Sequence, residues 1–311
     1  MKRRLPLLRR RRLRRAVLRA LRGSFRYIGR VSPSLSARLA EHLFRTPPRY
    51  PRLKREEHFL ALARRSGTPF PGGPLPTWTW GKGPAVLLVH GWGGQAGRLT
   101  PFVGPLTRAG FSVVAFDAPA HGGAPGRHSA LPEFVDAVRA VEREHGPFEA
   151  AIGHSLGAAA CALAVRGGLD IRSVVLLAPP ADPEKYSGRF AKFFGIPAGT
   201  RDAMKKRLVG RYRTEWAHLR VSGGPGSSRA RLLVFHDPRD WKVPIKDGLE
   251  IVASWPRAEL VQTPGLGHHR IVRDPAVIAN AVAFLSGKTA TRRVARSPRR
   301  KGRPLRPALV S

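Results

Sequence analysis

Acidic residues are scarce in this chain of 311 residues: 20 Asp and Glu stand against 56 Lys and Arg, a formal charge of +36. Cysteine is scarcer still. With Cys161 alone, no internal disulfide and no cysteine-rich zinc site can form. No run of about 18 apolar residues occurs, which argues against a transmembrane helix. The apolar stretches near the amino end are short and broken by Arg, unlike a secretory signal. Arg3-Arg4 lacks the apolar stretch of a twin-arginine signal, and an Arg-rich, acid-poor mitochondrial leader remains an open alternative. The 33 Gly and 29 Pro argue against a coiled coil and for a fold with many loops. The length suits one large α/β domain or two small ones.

What is abundant is positive charge, and it gathers at the ends. Residues Met1 to Arg22 hold eleven Lys or Arg and no acid, and Lys288 to Ser311 hold nine more without an acid, leaving about +16 for the middle. Leu13, Val17, Leu21 and Phe25 recur every four residues, with Ala20 and Ile28 near the same side, so the amino end reads as an imperfect amphipathic helix with Arg opposite. Three readings are open for it: a solvated arm, peripheral contact with an anionic membrane through residues 1–28, or non-specific contact with nucleic acid through counterion release. The tail 288–311 has no apolar period and is expected to be disordered. The expected division is a basic arm and linker over 1–52, one main domain over 53–287 and the basic tail over 288–311. The expected location is cytoplasmic, with the arm available to a membrane surface.

Between the ends, strand and helix patterns alternate. Apolar runs of strand length lie at Ala85–Val89, Phe111–Phe116, Glu149–Ile152, Ser173–Ala178, Arg231–Phe235 and Glu259–Val261. Helical patterns lie at Leu53–Arg64, Arg98–Ala109, Leu131–Glu144, Leu156–Arg166, Ile245–Trp255 and Pro275–Leu285, the last with Asp274 as N-cap and Pro275 behind it. Gly67–Pro76 reads as a turn-rich segment. Near-continuous apolar strands alternating with helices predict a mostly parallel twisted α/β sheet with helices on both faces. Ligands of such sheets sit at the carboxyl ends of the strands. One interval, Pro179 to Ala230, is too long for a simple crossover. The helical spacing of Phe190, Phe193, Phe194, Met204 and Leu208 makes it a small helical cap, over about 179–230.

Chemistry-bearing residues follow the strands. After the third apolar run comes Gly153-His154-Ser155-Leu156-Gly157, a G-x-S-x-G between strand and helix. It places a serine on a sharp, strained turn where flanking side chains would collide. After the first run, His90-Gly91-Trp92-Gly93-Gly94 supplies a Gly-rich turn. The amides of Trp92 and Leu156 are the candidate oxyanion donors. Asp117 and His121, in Asp117-Ala118-Pro119-Ala120-His121-Gly122, read as a structural turn bordering the site. After the fifth run, Asp240 is the preferred carboxylate over Asp237. After the sixth, His268 is the preferred base over its neighbour His269.

The order Ser155, Asp240, His268 and the segments HGWGG, DAPAHG, GHSLG, DxxVP and GLGH resemble the α/β-hydrolase fold superfamily, serine-nucleophile branch, from about Pro84 to Leu285. The resemblance implies the α/β-hydrolase fold with a cap after its sixth strand. It assigns the nucleophile to Ser155, the acid to Asp240, the base to His268 and the oxyanion amides to Trp92 and Leu156. A serine at the nucleophile position points away from dehalogenases and epoxide hydrolases. The expectation is a serine hydrolase acting on a carboxylic ester or thioester, a small-molecule acyl substrate, with no metal and no cofactor. Tyr186, Phe190 and Phe194 of the aromatic insertion are the expected contacts of an apolar substrate portion. Two other functions compete: an acyltransferase using the same three residues, and a hydrolase-like protein that acts through its basic ends by binding.

Overall fold

The computed structural model describes residues 7–287, with side chains from residue 16 onward. The tail 288–311 and the first six residues of the arm, both named above, lie outside the described residues. The chain divides into two units. One joins the residues up to Thr46 with Pro183–His218, and the other holds Pro47–Asp182 with the chain from Leu219.

The larger unit is built on an eight-stranded sheet, β1 (Arg64–Thr68), β2 (Leu75–Trp80), β3 (Ala85–Val89), β4 (Ser112–Phe116), β5 (Phe148–His154), β6 (Ser173–Leu177), β7 (Arg231–His236) and β8 (Ala258–Gln262), in the order β1-β2-β4-β3-β5-β6-β7-β8. β3 to β8 pair in parallel, and β1 and β2 add antiparallel pairings at one edge. The six apolar runs all became strands. The expected turn-rich segment Gly67–Pro76 is a turn over 69–74, but its two ends belong to strands β1 and β2. β1 is an edge strand with exposed Arg64 and Arg65, and its period-two signal is weak because only one end is covered. β2 carries buried Trp78 and Trp80 but is interrupted by Pro76, which argued for a turn.

Both faces of the sheet are covered, as the apolar strands require. On one face α5 (Leu131–His145), α6 (Leu156–Arg166) and α9 (Ile245–Ala253) pack with Val114, Ala151, Val174 and Val234. On the other, α3 (Lys54–Ala61), a 3₁₀ turn at Ala96–Phe102, α4 (Val103–Arg108) and α11 (Pro275–Leu285) pack with Val86, Ile152, Val175 and Phe235. α6 begins and ends where its sequence pattern did. α11 starts at the expected cap, where Asp274 accepts from the amides of Ala276 (3.0 Å) and Val277 (3.2 Å).

The smaller unit is helical: α1 (Leu7–Val31), α2 (Pro33–Arg45), α7 (Pro183–Phe194) and α8 (Ala198–Tyr212). The basic arm and the aromatic insertion, 137 residues apart between Thr46 and Pro183, thus share one core of Phe25, Ala40, Ala191, Ile196, Met204 and Leu208. Glu41 is buried beneath Arg207 (2.7 Å) and Arg211 (2.6 Å), joining α2 to α8. Burial alone would raise the Glu41 carboxyl, but the two guanidinium groups outweigh it and hold it below its ordinary value. The face expected for α1 needs correction. Phe25 is 5% exposed while Val17 is 51% exposed. A repeat of four residues overshoots a helical turn by about 40° each time, so two steps carry Val17 off the face of Phe25.

Candidate active site

Strand order reverses beside β3, whose neighbours are β4 and β5, so the loops after β3 and β5 leave a crevice between them. Ser155 follows β5 and opens α6 with φ 54° and ψ −119°, a strained conformation for a residue with a Cβ. Its amide donates to the Leu177 carbonyl at the end of β6 (2.9 Å), which pins the turn to the sheet. The flanking glycines are needed for space. A Cβ on Gly153 would come within 2.6 Å of the Ala158 Cα, and one on Gly157 would overlap the carbonyl oxygens of His90 and Val89.

Ser155, His268 and Asp240 come together in one hydrogen-bonded row, all within the larger unit. Ser155 Oγ lies 3.0 Å from His268 Nε2, and His268 Nδ1 lies 2.8 Å from Asp240 Oδ2. With the proton on Nδ1 donated to the carboxylate, Nε2 is left to accept from the serine hydroxyl. His268 and Asp240 are buried. Burial pushes the Asp240 carboxyl up, but the His268 hydrogen bond and charge and the amides of Val243 (3.0 Å) and Lys242 (2.8 Å) more than reverse this, and its pKa lies below the ordinary carboxylate value.

Asp237, the other carboxylate considered from sequence, points elsewhere. Its Oδ1 accepts from the Arg239 amide (2.7 Å) and its Oδ2 from the Gly267 amide (2.5 Å). It therefore ties the loop after β7 to the loop that carries His268. His269 is exposed and makes ring contacts with His268 and His154.

Leu156 is the first residue of α6, so its amide has no partner inside the helix. Trp92 follows Gly91, whose backbone approaches the serine turn so closely that a Cβ there would lie 2.9 Å from both Ser155 Cβ and the His154 carbonyl oxygen. Leu156 thus directly follows Ser155, and Trp92 directly follows the glycine packed against the serine turn. Asp117 is buried and accepts from the amides of Ala96 (2.8 Å) and Gly123 (2.8 Å), with Arg52 at 2.5 Å. Tyr186, Phe190 and Phe194 lie on α7 in the smaller unit. There Phe190 packs edge-on against Phe44 (5.1 Å) and beside Phe194 (4.8 Å), and Tyr186 lies under Arg189 (4.9 Å).

Three histidines at the site were not singled out from sequence. His154 Nε2 donates to the His268 carbonyl (2.9 Å), tying the serine turn to the histidine loop, and burial together with nearby His268 pushes its pKa far down. His236 Nε2 donates to the Val243 carbonyl (2.9 Å) and closes the loop holding Asp240. His90 Nδ1 donates to its neighbour Gly91 (2.8 Å), while its Nε2 accepts from the Ala118 amide (3.0 Å). Burial lowers His90 to about 4, which keeps it neutral for that double role. The available signal was position, since each stands at the carboxyl end of a strand. No metal-binding cluster of His, Cys, Asp or Glu occurs among the described residues.

Residues 86–281 match the model of the Alpha/beta hydrolase family. A search of curated proteins finds no match. Among solved structures, an esterase of Pyrococcus furiosus is 20% identical, with a TM-score of 0.59, 78% of this chain covered and 97% of that one. The alpha/beta hydrolase domain-containing protein 10 from mouse is 14% identical, with a TM-score of 0.58, covering 72% and 98%. A monoacylglycerol lipase of Paleococcus ferrophilus is 22% identical, with a TM-score of 0.54, covering 68% and 98%. At these identities the likeness is one of fold.

Proposed function

The chain belongs to the Alpha/beta hydrolase family, and from that premise we propose that it is a serine hydrolase cleaving a carboxylic ester or thioester through an acyl-enzyme on Ser155. One observation carries the reading: the row from Ser155 Oγ through His268 to Asp240, with gaps of 3.0 and 2.8 Å. His268 Nε2 takes the hydroxyl proton as Ser155 Oγ attacks the carbonyl carbon. The amides of Trp92 and Leu156 donate to the oxygen on which negative charge develops. Asp240 holds the imidazole in the accepting tautomer and stabilises its charged form. The protonated His268 then gives its proton to the leaving alcohol or thiol. Water enters, His268 removes its proton, and the carboxylic acid leaves with the Ser155 hydroxyl restored. The strained serine turn supports the same reading, because it presents Oγ at the end of the sheet without rotation of the backbone.

The choice of an ester draws further support from the names of two fold neighbours, an esterase and a monoacylglycerol lipase. The choice of an apolar acyl series follows from the aromatic composition of the insertion. The test is a chain-length panel of p-nitrophenyl esters and acyl-thioesters, with Ser155→Ala beside the parent. The parent cleaves a member of the panel and is labelled by a fluorophosphonate. The variant does neither, at a loss of about 10⁴-fold or more in kcat. Labelling that persists in Ser155→Ala refutes the assignment.

A further inference from the structure

The smaller unit carries most of the charge. Residues 1–46 and 183–218 hold 24 Lys or Arg against 4 Asp or Glu, a net +20, whereas the rest of the chain up to Gly287 holds 23 against 16, a net +7. Within this unit α1 has three distinct strips. Phe25 is buried, and Leu18, Leu21 and Ile28 are partly buried on the same side. Arg19, Arg26 and Arg30 are exposed along one flank. The third strip is Val17, Ala20, Ser24, Tyr27 and Val31, recurring at alternating steps of three and four residues, all exposed, with Tyr27 at 70% and Val31 at 68%. Beyond the turn, Leu35 and Leu39 of α2 are exposed beside Arg38.

A row of apolar side chains left in water next to a row of guanidinium groups needs a partner that satisfies both. A second copy of this chain would cover the apolar row, but it would bring two units of +20 together. Nucleic acid would satisfy the arginines, but phosphate contact has no use for exposed Val17, Tyr27 and Val31. An anionic bilayer surface offers negative headgroups and an apolar boundary a few ångströms apart. We propose that α1 docks the protein on anionic lipid, with Val17, Tyr27 and Val31 entering the headgroup boundary and Arg19, Arg26 and Arg30 meeting lipid phosphates. This face shares only Val17 with the row Leu13, Val17, Leu21 and Phe25. It is independent of the reaction assigned to Ser155.

The test is co-sedimentation of the full chain with vesicles of phosphatidylcholine alone and of phosphatidylcholine with phosphatidylglycerol, at low and high salt. Two variants accompany the parent: Val17→Gln with Tyr27→Gln and Val31→Gln, and Arg19→Gln with Arg26→Gln and Arg30→Gln. All six side chains are exposed, so both variants should keep the parent's circular dichroism and melting temperature. The parent sediments with the phosphatidylglycerol vesicles, less at high salt, and not with phosphatidylcholine alone. Each variant partitions roughly tenfold or more weakly. Binding of duplex DNA is unchanged by the apolar substitutions. No sedimentation of the parent with the anionic vesicles overturns the proposal. So does an apolar variant that binds vesicles like the parent, which would leave a simple polycation surface, equally suited to nucleic acid.

Discussion

A methyl group on Gly91 would meet both Ser155 Cβ and the His154 carbonyl at 2.9 Å, closer than packed atoms tolerate. Gly91→Ala must therefore push the Trp92 amide away from the serine or strain the turn beneath it. If that amide stabilises the oxyanion, ester cleavage falls on the order of 10²–10³-fold, with a stability cost of about 1–3 kcal/mol. Turnover like that of the parent, measured alongside thermal melting, would remove Trp92 from the mechanism. His121 offers a prediction about pH. Burial lowers it from an ordinary 6.5 to about 3. Its Nδ1 donates to the Pro119 carbonyl (2.9 Å), and its ring packs against Trp92 and Phe134. The folded protein holds it neutral, so its contribution to stability is complete above the unfolded value and is lost as pH falls from about 6.5 towards 3. Each such histidine steepens the loss by up to about 1.4 kcal/mol per pH unit. In urea unfolding from pH 7 to pH 5, His121→Phe should show a shallower fall than the parent, and equal slopes would count against a neutral buried imidazole.

At the scale of elements, the site depends on loops that are tied to one another. Asp237 joins the loop after β7 to the amide of Gly267, and His154 joins the turn before α6 to the carbonyl of His268. Asp237→Ala leaves the Gly267 and Arg239 amides without their acceptor, at a cost of about 1–3 kcal/mol. The looser His268 loop should lower kcat roughly tenfold to a hundredfold with KM little changed, since Asp237 bonds backbone amides of the loops and not the serine or the imidazole. A change confined to KM would place Asp237 against substrate instead. These ties were not legible in the sequence. G-x-S-x-G announces its own turn because the steric demand is local, whereas a hydrogen bond from His154 to His268 spans 114 residues. The same distinction explains β1 and β2. Each is stabilised by pairing across the sheet edge, and neither has the apolar run that marked β3 to β8.

For the whole molecule, charge is the governing quantity. Like charges at a formal +36 repel within the folded state, and about 8 Å of Debye screening at physiological ionic strength removes much of that repulsion. The melting temperature should therefore rise from low to high sodium chloride. A flat or falling response would mean that ion pairs such as Glu41 with Arg207 and Arg211 outweigh the repulsion. Among the described residues no helix is long and apolar enough to cross a membrane.

Apolar runs separated by helical patterns were enough to specify the parallel sheet, because burial on both faces demands continuous hydrophobic strands wherever they pair. The glycines around Ser155 and the order of serine, aspartate and histidine were equally readable, since each of the three lies in a segment that follows a strand. The choice of Asp240 over Asp237 as the partner of His268 lies in three-dimensional loop geometry, which sets which carboxylate faces the imidazole. That the basic arm shares a core with the distant aromatic insertion, leaving Tyr27 and Val31 rather than Phe25 in water, also belongs to tertiary structure: periodicity lists the faces of a helix, and only packing selects the one that is covered.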